Sequence, residues 1–247
     1  MNGTVLISNI CYQKIDGKSL LLDILRPEVL PERPMPIIME IHAGGWMYGE
    51  KLVERNRPFA EEGFFTLSIN YRLSNEAIFP AQIEDVKAAV HWLRSHHEEY
   101  HLNPDRIGVW GISSGGHLAA LLGTTGKGSE KIQAIATLSG PSDFLRMADN
   151  AFLPPLLGGP VSKRRTLAIE ASPVAHVTKE TPPFLIVHGT DDQNVPFEQG
   201  IVLRDALMAV GCDVTFIPIA GMGHISMDPS PEIYQAMISF FVKYLQR

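Results

Sequence analysis

The chain has 247 residues, 45% of them apolar and 19% charged, a mixture that excludes a disordered, collagen-like or coiled-coil protein. With 21 Lys and Arg against 27 Asp and Glu the formal charge is −6, so no nucleic-acid partner is expected and an anionic membrane surface would repel the protein. The two cysteines, Cys11 and Cys212, are too few for a disulfide framework and read as free thiols. No stretch approaches the roughly 20 apolar residues of a membrane span. Residues 1–15 lack the basic start and apolar run of a signal peptide, which makes the cytoplasm the expected location.

The predicted elements begin with a hairpin. Thr4–Ile15 and residues 19–25 flank Asp16-Gly17, a dipeptide suited to a type I′ turn. Pro27, Pro31, Pro34 and Pro36 then punctuate a loop. Residues 37–41 form a nearly continuous apolar run, as expected of a strand buried on both faces. Similar runs return at 64–69, 107–110, 132–138, 184–187 and 214–219. Between them, residues 81–100 place Ile83, Val86, Val90 and Leu93 on one helical face. Ile233, Met237, Phe240, Phe241 and Tyr244 repeat that spacing in a last helix. This alternation predicts an α/β fold across residues 1–247: a doubly wound, mostly parallel central sheet flanked by helices. Residues 141–183 are its least regular part and are expected to form an insertion. Ligands in such sheets bind at the carboxyl ends of the strands, which is where chemistry should be sought.

The run at 107–110 leads into Gly111-Ile112-Ser113-Ser114-Gly115-Gly116 and then an apolar helix. A G-x-S-x-G turn between strand and helix is the construction of a nucleophile elbow, in which larger flanking residues would collide with neighbouring backbone. Ser113 is therefore the candidate nucleophile. A serine hydroxyl needs a base, and the base an orienting acid. His224 follows the last predicted strand and is the candidate base. Asp191 and Asp192 follow the strand at 184–187 and compete for the acid position. At the end of the first central strand lies His42-Ala43-Gly44-Gly45-Trp46. The amides of Gly44 and Gly45, with that of Ser114, have the arrangement expected of an oxyanion hole.

These stretches resemble the α/β-hydrolase superfamily, and within it the small carboxylesterases related to hormone-sensitive lipase and to bacterial feruloyl esterases. Asn70-Tyr71-Arg72-Leu73, residues 79–86 and Asn103-Pro104-Asp105-Arg106-Ile107 extend the resemblance over nearly the whole chain. It implies an α/β-hydrolase fold and a Ser113–His224–Asp192 triad. The family's H-G-x-x-D-x-x-V-P pattern, laid on residues 188–196, puts the acid at Asp192. Two departures stand out. Ala43 replaces the usual glycine after the histidine, and the chain opens almost directly on the sheet where lipase-like relatives carry a cap. Any lid is then expected from residues 141–183.

Four side chains are expected to line the substrate pocket: Trp46, Phe152, Leu156 and Met222. The His91, His96, His97 and His101 group lacks a metal-binding motif, and no G-x-G-x-x-G is present, so neither metal nor cofactor is expected. The predicted function is a serine carboxylesterase acting on small-molecule esters of short acyl, acetyl or feruloyl type. An amide hydrolase of arylformamidase or peptidase-like type with the same triad, and a non-catalytic binding module, are the alternatives. An edge strand or exposed helix would suit a homo-oligomer.

Overall fold

A computed structural model describes residues 3–225 and 228–246. The chain runs through β1 (Thr4–Ile15), β2 (Lys18–Pro27), β3 (Met35–Ile41), α1 (Arg57–Glu61), β4 (Phe65–Ile69), α2 (Ala81–Ser95), β5 (Leu102–Ile112) and α3 (Ser114–Thr125). It continues through β6 (Ala134–Leu138), α4 (Leu153–Leu157), α5 (Arg165–Glu170), β7 (Phe184–Gly189), α6 (Glu198–Ala209), β8 (Val214–Ile219) and α7 (Pro231–Leu245). Among the described residues these eight strands form one sheet in the order β1-β2-β4-β3-β5-β6-β7-β8. The β1–β2 and β2–β4 pairs are antiparallel, and every later pair is parallel.

The first turn is built as its dipeptide requires: Asp16 and Gly17 both take positive φ, 49° and 81°. In the parallel strands the side chains alternate between two cores. Ile37, Met39, Ile107, Val109, Ile135, Phe184 and Ile186 face one core, which α2, α3 and α6 cover with Val86, Val90, Leu118, Leu122 and Leu203. Ile38, Trp110, Ala136, Leu138, Leu185 and Val187 face the other, closed by Phe59 of α1 and by Ile233, Met237, Phe240 and Phe241 of α7. Burying each such large side chain contributes roughly 1.5–3 kcal/mol. Helices on both faces leave the strand ends as the open part of the sheet.

Two predicted boundaries move. The helix expected to reach residue 100 ends at Ser95, where the His96 imidazole stacks on Trp92 with centroids 4.4 Å apart and the chain turns away. β5 begins at Leu102, ahead of its apolar run, because Leu102 pairs with Met35 of β3. Among the described residues no helix is long and apolar enough to cross a membrane.

One buried carboxylate interrupts the second core. Glu40 of β3 is 1% exposed, accepts a hydrogen bond from the Ser68 hydroxyl, and lies 3.7 Å from the Arg55 guanidinium. Burial outweighs both partners and pushes its pKa up from 4.5 to about 7. Between those two values the folded chain holds a proton that the unfolded chain has lost, so stability falls as pH rises through that window. The penalty amounts to about 3 kcal/mol above pH ~7. Glu40→Gln keeps an acceptor for Ser68 and cannot ionise, and Arg55 retains its 2.7 Å contact with Asp228. The variant should gain most of that stability in urea unfolding at pH 8 and little at pH 5. An equal gain at both pH values would refute the assignment.

Candidate active site

The turn between β5 and α3 holds Ser113 at φ 55° and ψ −119°, a region few residues other than glycine adopt. Such a conformation costs on the order of 1–3 kcal/mol and persists only where surrounding bonds impose it. Here the Ser113 amide donates to the Leu138 carbonyl at 2.8 Å, and its own carbonyl accepts from the His117 amide at 2.9 Å. Gly115 allows α3 to press against β3, since a Cβ there would stand 2.0 Å from the Ile41 carbonyl oxygen.

Loops from the ends of β7 and β8 meet this turn. The Ser113 hydroxyl lies 3.0 Å from His224 Nε2, and His224 Nδ1–H donates to Asp192 Oδ2 at 2.7 Å. The carboxylate accepts this bond and so keeps the proton on Nδ1, leaving Nε2 free to accept from the serine. Asp192 Oδ1 accepts from the amides of Asn194 and Val195 at 3.0 and 2.8 Å. Burial alone would raise the Asp192 pKa, but hydrogen bonds from His188, His224 and Val195 together outweigh it. They hold the carboxyl well below the usual carboxylate range. Asp191 faces solvent and accepts from the Thr190 hydroxyl at 2.9 Å.

The β3 loop completes the site. Gly44 and Gly45 have φ of 130° and 58°, and their amides have no hydrogen-bond acceptor among the described residues. Ser114 opens α3, so its amide has no acceptor within the helix either. A set of unpaired N–H groups beside a hydroxyl is equipped to hold a developing oxyanion. His42 is a structural neighbour: its ring stacks on Tyr71 at 4.3 Å, Nδ1 bonds the Ala43 carbonyl, and burial lowers its pKa to about 4. Above Ser113 opens a cavity of about 340 Å³, lined by Gly44, Gly45, Trp46, His224 and several side chains of the insertion.

The BD-FAE family model matches residues 22–207. This chain belongs to the BD-FAE family. Probable carboxylic ester hydrolase LipM of Mycobacterium tuberculosis is 33% identical to it over 215 residues, which cover 78% of this chain and 50% of that protein. Esterase LipC of the same organism is 30% identical, covering 85% of this chain and 57% of LipC. The chain therefore spans about half the length of these curated relatives. A truncated form of a carbohydrate esterase from gut microbiota superposes with a TM-score of 0.86 at 28% identity, covering 98% of this chain and 97% of that one. The fold is the α/β-hydrolase fold. His224 lies beyond the family match, so its place beside Ser113 is a result of the tertiary structure.

Within this BD-FAE site the predicted pocket residues divide. Trp46 and Phe152 line the cavity. Leu156 does not: it is fully buried in the core, because α4 turns that face inward. Met222 does not either, since its side chain packs against the α7 core while its carbonyl accepts from the Asp191 amide. The insertion at 141–183 is correspondingly split. Pro141, Met147, Asn150 and Phe152 reach the cavity, whereas Leu153, Leu156 and Leu157 are core. Tyr48, Met147, Asn150 and Asn194 line the cavity without having been expected there. Asn194 lies two residues beyond Asp192 and was discoverable from that loop; Met147 and Asn150 carry no local signal. Ser139 was also missed: at φ 48° its hydroxyl accepts from the Ile225 amide at 3.3 Å, which fixes the residue after His224. His96, His97 and His101 are engaged by the carbonyls of Trp92, Arg94 and Pro31. Among the described residues no group of three His, Cys, Asp or Glu side chains is disposed to hold a metal ion.

Proposed function

We propose that this BD-FAE chain hydrolyses small carboxylic esters through an acyl-enzyme on Ser113. The observation that carries the reading is the continuous path from Ser113 Oγ to His224 Nε2 at 3.0 Å and from Nδ1 to Asp192 Oδ2 at 2.7 Å. The names of the relatives, an esterase and a probable carboxylic ester hydrolase among them, support the same bond class.

Ser113 Oγ attacks the ester carbonyl carbon while its proton passes to His224 Nε2. The carbonyl oxygen becomes an oxyanion between the amides of Gly44, Gly45 and Ser114, donors each worth on the order of 10²–10³ in rate. Asp192, kept ionised, stabilises the imidazolium and holds its orientation. His224 then protonates the departing alcohol oxygen, and the C–O bond breaks to leave acyl-Ser113. Water enters from the cavity, gives a proton to His224 as it attacks, and the acid leaves as Ser113 recovers that proton. In this cycle Ser113, His224 and water supply every nucleophile and proton.

A fluorophosphonate probe should label the wild-type protein at Ser113, and the labelled protein should lose turnover of p-nitrophenyl acetate in proportion. A chain that neither reacts with the probe nor turns over any ester would be a binding module instead. Faster turnover of aryl formamides or aminoacyl amides than of every ester in a matched panel would move the assignment to amide bonds.

A further inference from the structure

The cavity has two unlike ends. Tyr48 is 63% exposed and Phe152 41%, which places both at the mouth, whereas Trp46 is 3% exposed and Met147 6%. All four line the same space around Ser113. After the first half-reaction the acyl group stays on Ser113 while the alcohol must escape to solvent. The open end therefore suits the alcohol, and the blind end closed by Trp46 suits the acyl chain.

The indole that closes this end is fixed from several sides. Its Nε1–H donates to His117 Nδ1 at 3.2 Å, and His117 Nε2–H donates to the Ala171 carbonyl at 2.7 Å. A carbonyl only accepts, so Nε2 carries the proton and Nδ1 offers the lone pair. Burial draws the His117 pKa down to about 4, so the ring stays neutral near pH 7 and keeps this tautomer. His117 stacks on Phe144 at 4.7 Å, and Phe144 meets the indole edge-on at 5.6 Å. The Trp46 backbone sits at φ 59°, and its carbonyl accepts from the Ser74 amide at 2.8 Å. Both rings that pack against the indole, Phe144 and His117, are themselves fully buried. At about 340 Å³ the whole cavity is near the lower end of the roughly 300–1,000 Å³ usual for small-molecule sites, and it must hold both halves of the ester.

We infer that Trp46 sets the acyl-chain length this chain accepts and that His117 is the positioning residue that holds the indole in that place. The inference rests on the ester-hydrolase reading above. It also gives the 141–183 insertion a role, since Ala171 anchors the His117 ring from that segment while His117 itself belongs to the helix that follows the nucleophile.

The test is the ratio of kcat/KM for p-nitrophenyl octanoate to that for the acetate. In the wild type this ratio should be well below one. Trp46→Ala should raise it by at least about tenfold, the scale on which a hydrophobic pocket discriminates a methylene. Trp46→Phe keeps an aromatic ring but loses bulk and the N–H donor, so it should move the ratio the same way by a smaller factor even if the alanine variant fails to fold. His117→Leu should also raise the ratio by freeing the indole. His117→Asn, whose amide oxygen takes the place of Nδ1, should bring it back toward wild type, which a merely structural defect would not do. Turnover of both esters with a ratio that stays within twofold in the Trp46 and His117→Leu variants would overturn the chain-length inference alone. A wild type without turnover of any ester would overturn it together with the hydrolase reading.

Discussion

Ser113→Ala is expected to lower kcat on a short p-nitrophenyl ester by on the order of 10⁶, with the far-ultraviolet circular dichroism unchanged. A loss of that size accompanies removal of the nucleophile from a triad whose members act as a unit. The substitution deletes only the oxygen that lies 3.0 Å from His224 Nε2, and every backbone bond at the turn remains. Oxyanion donors and substrate binding would still leave some acceleration over water, so the residual rate should lie above background. The strained backbone gives an internal control. At φ 55° and ψ −119° alanine carries the same Cβ strain as the native serine and glycine carries none, so Ser113→Gly should be equally inactive yet about 1 kcal/mol more stable than Ser113→Ala in urea. Retained turnover in a clean Ser113→Ala preparation would remove this residue from the role of nucleophile.

Asp192→Asn is expected to cost about 10⁴ in kcat, whereas Asp191→Asn should stay within about twofold of wild type. An asparagine at 192 preserves an oxygen for the amides of Asn194 and Val195, and so the shape of the loop. It loses the charge that stabilises an imidazolium, and its amide group competes for the wrong imidazole tautomer. The depressed pKa of Asp192 adds a stability effect whose sign follows from linkage. The native carboxylate contributes stability above the unfolded value near 3.9, and the contribution disappears as pH falls toward the lower folded value. Asp192→Asn should therefore be less stable than wild type at pH 7 and approach it in acid, which thermal melts at pH 7 and pH 3 would measure. Equal losses from the two asparagine variants would show that the acid has been misassigned.

Much of this architecture is written locally. The parallel strands announce themselves as apolar runs because a strand buried on both faces has no polar side to show. The hairpin turn is readable because Asp16-Gly17 tolerates positive φ at both positions. The elbow is readable because Gly115 sits where any Cβ would meet the Ile41 carbonyl. In contrast, Phe152 and Leu156 look alike in the sequence of an irregular insertion. One lies at the cavity mouth and the other in the core, and no periodicity separates them. Met222 lies two residues before His224 and so is near the pocket along the chain, yet the loop turns it toward α7. The choice between Asp191 and Asp192 was open on residue type alone; neighbours in sequence, they point into different surroundings.

From the amino-acid order come the strand ends, the turn that exposes Ser113 and the glycines that bare the amides of the β3 loop, because backbone sterics and burial periodicity act over a few residues. Distances across 111 residues, from Ser113 to His224, came only with the packed sheet, as did the identity of the cavity walls and the Trp46–His117–Ala171 chain behind them. Those features depend on which surfaces meet once the insertion settles against α3, and contact between distant segments leaves no periodic trace in either segment alone.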